Sequence, residues 1–162
     1  MKNTIKKVVL LVTLCVLTIA AGYAQEPSKV GIKVNEIVKK YENVKDVDCL
    51  VATKGSGLGL LKMMLNQQFG KDFMKGVTSI TIINYSDAAQ EVCLALRKEL
   101  DVFETLLEEF DMDEEKELAT NEFIRCFASI SKEDKTISDF VFAAEDNESK
   151  MLMYMAGKIR VE

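Results

Sequence analysis

The densest group of residues able to do chemistry is an acidic stretch holding Glu108, Glu109, Asp111, Asp113, Glu114, Glu115, Glu117 and Glu122. Counted from Asp111, acids fall at positions one, three, five, seven and twelve of a calcium loop, which makes Asp111, Asp113, Glu115 and Glu122 the candidate ligands. Position six needs a glycine for its sharp turn and holds Lys116, whose Cβ and positive charge both oppose an ion there. A solvated acidic face or loop is the better reading. A second group, Met151, Met153 and Met155, alternates along the chain and would project to one face. Thioethers suit Cu(I), but with no cysteine or histidine in that segment the methionines read as core packing.

Gly55-Ser56-Gly57-Leu58-Gly59-Leu60 superficially matches a phosphate-binding loop. Its third glycine comes one residue too early for the dinucleotide fingerprint, and no Lys-Ser or Lys-Thr closes it as a P-loop. Ser56 also lacks the glycine spacing of a nucleophile elbow. A flexible strand-to-helix turn accounts for these residues better. The chain has no histidine, which removes Ser-His and Cys-His pairs, the usual neutral-pH general base and most zinc sites. Cys49, Cys93 and Cys126 have no C-x-x-C spacing. They form either one disulfide and a free thiol or three small buried hydrophobes, with the pairing open. The expectation is therefore no enzyme, no cofactor and no metal site, and a hydrolase would need two carboxylates converging in a cleft.

The compartment follows from the start of the chain. Lys2, Lys6 and Lys7 precede an apolar run from Val8 to Ala21 broken only by Thr13 and Thr18, and Gly22-Tyr23-Ala24 then leads into polar Gln25-Glu26-Pro27. This is the pattern of a cleavable signal peptide, residues 1–24, with the cut between Ala24 and Gln25. The apolar run falls short of the roughly 20 residues that cross a bilayer, so no stable membrane span is expected after cleavage. Residues 25–162 are expected to form a single α+β domain. Loss of three lysines and no acid shifts the formal charge from −5 to about −8, a balance that repels nucleic acid and anionic lipid surfaces.

The elements that would position these groups are legible as periodicities. Val30, Val34, Ile37, Val38 and Tyr41 predict an amphipathic helix over 30–42. A strand is expected at Val47 to Val51, a helix from Leu58 to Phe69, and a connector at Lys71 to Gly76. The β-branched run Val77 to Tyr85 predicts a second strand. Asp87 is placed as the N-cap of a helix through Val92, Leu96 and Leu100, with Gln90 as its reciprocal partner. Residues 102–118 fit helix or strand. Phe123 to Ser131, Thr136 to Ala144 and Met151 to Ile159, separated by the polar turns at 132–135 and 146–149, predict a three-strand antiparallel meander. The expected fold class is α+β, a mainly antiparallel sheet with the meander at its C-terminal side and helices packed on one face.

Taken together, the leader, the helix ending Ile37-Val38-Lys39-Lys40-Tyr41, the segment Phe103-Glu104-Thr105-Leu106-Leu107, the run Thr136-Ile137-Ser138-Asp139-Phe140-Val141 and the closing Leu152 to Gly157-Lys158-Ile159 resemble a family of small exported bacterial proteins classed as a domain of unknown function, of the family 4252 type. The acidic stretch near 108–122 departs from that pattern. The resemblance implies a periplasmic or secreted protein of the Gram-negative envelope with a role in envelope homeostasis or signalling, and it carries no catalytic residues. The expected partner is another envelope protein. The alternative is a small-ligand or metal-binding module for calcium or copper.

Overall fold

Three long runs of β-branched, aromatic and small apolar residues dominate the second half of the chain, and they lie side by side as strands. The structure is a computed structural model that describes residues 27–110 and 123–160. The elements in chain order are α1 (Lys29–Tyr41), β1 (Asp48–Ala52), α2 (Gly55–Phe69), α3 (Lys71–Gly76), β2 (Val77–Asn84), α4 (Gln90–Glu99), α5 (Asp101–Glu104), β3 (Glu108–Glu109), β4 (Phe123–Ser131), β5 (Thr136–Glu145) and β6 (Lys150–Arg160). The strands form one six-stranded sheet in the order β1-β2-β6-β5-β4-β3, and every neighbouring pair is antiparallel. The protein is α+β with an antiparallel sheet, and β4, β5 and β6 form the expected meander. Among the described residues no helix is long and apolar enough to cross a membrane.

Helices cover both faces of this sheet, which corrects the expectation of helices on one face. Side chains alternate along each strand as a pleat requires, and the core under α2 and α3 takes Ile80, Ile82, Phe140, Phe142, Met151, Met153 and Met155. The core under α1, α4 and α5 takes Ile83, Val141, Ala143, Leu152 and Tyr154 from the same strands. The physical reason lies in the strands themselves: Phe140-Val141-Phe142-Ala143-Ala144 and Met151-Leu152-Met153-Tyr154-Met155 are continuous apolar runs, buried throughout, as strands with two covered faces must be.

Each helix is set by local chemistry. Ser28 caps α1 by accepting a hydrogen bond from the Gly31 N–H at 3.0 Å, and Lys39 and Lys40 sit in its last turn against the negative end of the helix dipole. Its buried stripe is Val30, Val34, Ile37, Val38 and Tyr41, each worth about 1.5–3 kcal/mol of transfer free energy. The Lys71 to Gly76 connector is itself helical, and α2 and α3 meet through Phe69 stacked on Phe73 at 5.6 Å, with Phe140 of β5 edge-on to both rings. The junction of α3 with β2 rests on two glycines in backbone contact. A Cβ on Gly76 would lie 2.1 Å from the Lys158 carbonyl oxygen, and one on Gly157 would lie 2.1 Å from that of Gly76.

The helix after β2 begins at Gln90 with Ala89 at the cap position and no side-chain cap, so Asp87 does not open it. Asn84 explains the difference, because its Oδ1 accepts from both the Ser86 N–H and the Ser86 hydroxyl, and the Ala88 N–H closes a turn on the Tyr85 carbonyl. Residues 85–88 are thus committed to a turn before the helix starts. Within the ambiguous stretch from residue 102, the chain finishes a short helix at Glu104 and pairs briefly as β3 at 108–109.

Candidate functional site

Among the described residues, three polar clusters and an exposed apolar strip stand out as places where this fold gathers chemistry. The first cluster sits where β5 turns into β6. Glu145 has 2% of its side chain exposed and is held bidentately by Arg97 of α4, with Nε to Oε1 at 2.9 Å and Nη2 to Oε2 at 2.6 Å. The Tyr85 hydroxyl donates to the same Oε1 at 3.1 Å. Arg97 also lies over the Phe123 ring, 4.7 Å from its centroid. Burial first, and then the negative charge of Glu145, push the Tyr85 phenol well above its ordinary range. Beside this pair, the Lys150 Nζ lies 3.3 Å from the Cys93 sulfur, and the Cys93 thiol points at the Ala88 carbonyl. Arg97 and Tyr85 together satisfy the carboxylate, so the cluster fastens α4 to the sheet and leaves no base free to act on a substrate.

The second cluster surrounds Asp139, a buried carboxylate at 6% exposure, placed where the β5–β6 register shifts. Its Oδ1 accepts from the Ser28 hydroxyl at 2.5 Å and the Tyr154 hydroxyl at 2.8 Å, and its Oδ2 from the Ser138 hydroxyl at 2.9 Å. Ser28 is also the α1 cap, so the charge lies at the positive end of that helix. Gly31 permits the approach, since a Cβ there would stand 3.0 Å from the Tyr154 hydroxyl. Burial, followed by the nearby Asp139 charge, raises the Tyr154 phenol above its usual range. Ser28 has a carboxylate neighbour, but a carboxylate is a poor base for an alkoxide and its lone pairs are already engaged. The arrangement locks α1 onto β5 and β6.

In the third cluster Arg125 of β4 gathers Asp101, Glu104 and Glu109 at 3.2, 2.5 and 2.7 Å, with its guanidinium 4.6 Å from the Phe127 ring centroid. Three acids do converge here. The Arg125 hydrogen bond holds Glu109 below the ordinary carboxylate range, the opposite of what a proton-donating hydrolase acid requires.

The sequence candidates are placed as follows. Asp111, Asp113, Glu115 and Glu122, the calcium ligands considered, and the cleavage residues Ala24 and Gln25 lie outside the described residues. Met151, Met153 and Met155 are buried in the core beneath α2 and α3, the packing role expected of them. Gly55 starts α2 at φ 76°, a strand-to-helix turn that glycine favours. Cys49, Cys93 and Cys126 are free thiols. Burial, and then neighbouring acids, push Cys49 up to about 11, and burial with Glu109 does the same to Cys126, also to about 11, so neither is a ready nucleophile near neutral pH.

The apolar strip is on α2. Leu60 and Met63 stand 44% and 62% exposed, one turn apart on the outward side of the helix, while Leu61 and Leu65 enter the core. Lys54 just before α2 and Lys71 and Lys75 on α3 are exposed, and Lys62 ties α2 to the end of α3 by donating to the Lys75 and Val77 carbonyls. Over residues 54–76 the sole acid is Asp72, so this segment is basic on an acidic chain. Sequence periodicity passed over it because apolar residues on both sides of α2 blur its amphipathic pattern. No family model, no curated protein and no solved structure matches this chain.

Proposed function

We propose that this chain is an exported, non-catalytic interaction domain of the bacterial envelope, akin to the small exported family it resembles, and that it engages another envelope protein through the outward face of α2. The observation that carries the reading is the contrast between the interior and that face. The buried carboxylates Glu145 and Asp139 are each consumed by contacts that fasten a helix to the sheet, whereas Leu60 and Met63 are set out to solvent together on a rigid element. Adjacent exposed large side chains with a charged rim are what a modest protein-binding surface presents. The exposed lysines of this segment favour an acidic partner.

A photo-crosslinker at Met63 in intact cells tests this. One envelope protein captured reproducibly, and lost when Leu60→Glu is added, is the expected result, together with a mature N-terminus at Gln25. Fractionation of the protein with cytosolic enzymes refutes the compartment. Absence of a protein adduct, with calcium or copper raising the melting temperature instead, refutes the interaction role in favour of a ligand-binding module.

A further inference from the structure

The two edges of the sheet are built differently. β3 is two residues long and both are exposed glutamates, a short charged edge of the kind that turns away another strand. β1 has no such guard in its middle, which reads Cys49-Leu50-Val51-Ala52. The direction of its backbone groups follows from the neighbouring ladders. The Tyr85 N–H donates to the Lys150 carbonyl at 3.0 Å, so Tyr85 and, by alternation, Ile83 and Thr81 turn their main-chain groups towards β6. Asn84, Ile82 and Ile80 therefore turn theirs towards β1, where their register partners are Asp48, Leu50 and Ala52. The N–H and C=O groups of Cys49 and Val51 face away from the sheet, and among the described residues none has a backbone partner.

We propose that β1 is the site where a second copy of this chain adds, β1 against β1 and antiparallel across a two-fold axis, fusing two six-stranded sheets into one. With the axis at Leu50, Cys49 of each copy exchanges hydrogen bonds with Val51 of the other, giving about four new main-chain bonds. The charges flanking the strand select this orientation. Exposed Asp46, which Lys45 pairs at 3.9 Å, and exposed Asp48 precede or open β1 and exposed Lys54 follows it, so antiparallel pairing sets Lys54 of one copy at the acidic end of the other's strand, nearest Asp48, at both ends. Parallel pairing would instead set acid beside acid. An isologous contact of this kind closes on itself and stops at two. This proposal uses the β1 edge and stands apart from the role given to α2.

Sedimentation of the purified protein from low to high micromolar concentration tests it. The expected result is a concentration-dependent species of twice the monomer mass. Val51→Pro should abolish it, because that N–H faces outward and its loss takes no bond from the β1–β2 ladder. Should that variant fail to fold, exposed Lys54→Glu keeps the test open, with an expected weakening of association of at least about tenfold at low salt. Val51→Cys should give a disulfide-linked dimer with the native Cys49 of the second copy on a non-reducing gel, since directly opposed residues lie within disulfide reach. A monomer at every concentration, or a dimer that both Val51→Pro and Lys54→Glu leave intact, overturns the proposal.

Discussion

Replacing Arg97 by methionine isolates the contribution of the charge cluster at the β5–β6 turn. Arg97→Met keeps an unbranched stem over Phe123 and removes both donors to Glu145. Glu145, 2% exposed, is then left with the Tyr85 hydroxyl alone. Removing one partner of a fully buried pair costs about 3–5 kcal/mol. The Arg97 side chain is 40% exposed, so water supplies part of what is lost and the expected cost falls to about 2–3 kcal/mol. Against a stability of about 5–15 kcal/mol for an ordinary domain, that is a large fraction, and it should lower the melting temperature by about 6–12 °C. Urea unfolding followed by circular dichroism measures it directly, with an unchanged m value showing that the native fold is retained. Adding Glu145→Gln to Arg97→Met should recover about half of the loss, because the amide leaves no unpaired charge in the interior. The reasoning fails if Arg97→Met costs less than about 0.5 kcal/mol, or if the double variant is no more stable than the single one.

Three further outcomes are expected. Gly76→Ala should destabilise by more than about 3 kcal/mol, because its Cβ meets main-chain atoms of Lys158 and Ile159 that cannot rotate away, whereas Gly57→Ala, with nothing within 4 Å, should leave the urea midpoint unchanged or raise it; the two curves side by side decide this. Glu109 is held below its unfolded value of 4.5 by the Arg125 hydrogen bond, so its contribution to stability is present above that pH and is lost as the pH falls through the lower folded value. The protection factor of the Phe110 amide, which donates to the Cys126 carbonyl of β4, should fall on acidification below 4.5, and this acid sensitivity should disappear in Arg125→Met. Finally, Cys49 and Cys126, each raised to about 11, should react with a thiol reagent at pH 8 at least about tenfold more slowly than in the urea-unfolded chain, and comparable rates would contradict the burial described.

How much of this was readable from residues alone depended on the range of the interaction. The meander was legible because 132–135 and 146–149 are polar turns between β-branched and aromatic runs, a signal carried by adjacent residues. The two-faced sheet was not, since the expectation of helices on one face rests on fold class and does not weigh the near-continuous apolar runs of β5 and β6. The burial of both sides of these strands at their centres was already written in Phe140 to Ala144, where no polar residue interrupts. The Asp87 cap failed because Asn84, three positions earlier, captures Ser86 first. The clusters at Asp139 and Glu145 join residues such as Ser28 and Asp139, 111 positions apart, which no local spacing encodes. An aspartate in the middle of a β run was nevertheless a visible anomaly that called for a partner.

The position of β6 has a consequence for how the chain comes together. The latest of the described strands in sequence lies between β2 and β5, so a nascent polypeptide leaving the ribosome makes β2 long before the strand that joins it to β5. Until residues 150–160 arrive, β2 and β5 each show an open rim and neither apolar layer can close. Closure of the sheet therefore waits for β6, and a chain threaded through a narrow conduit before that strand emerges would reach it still unlocked.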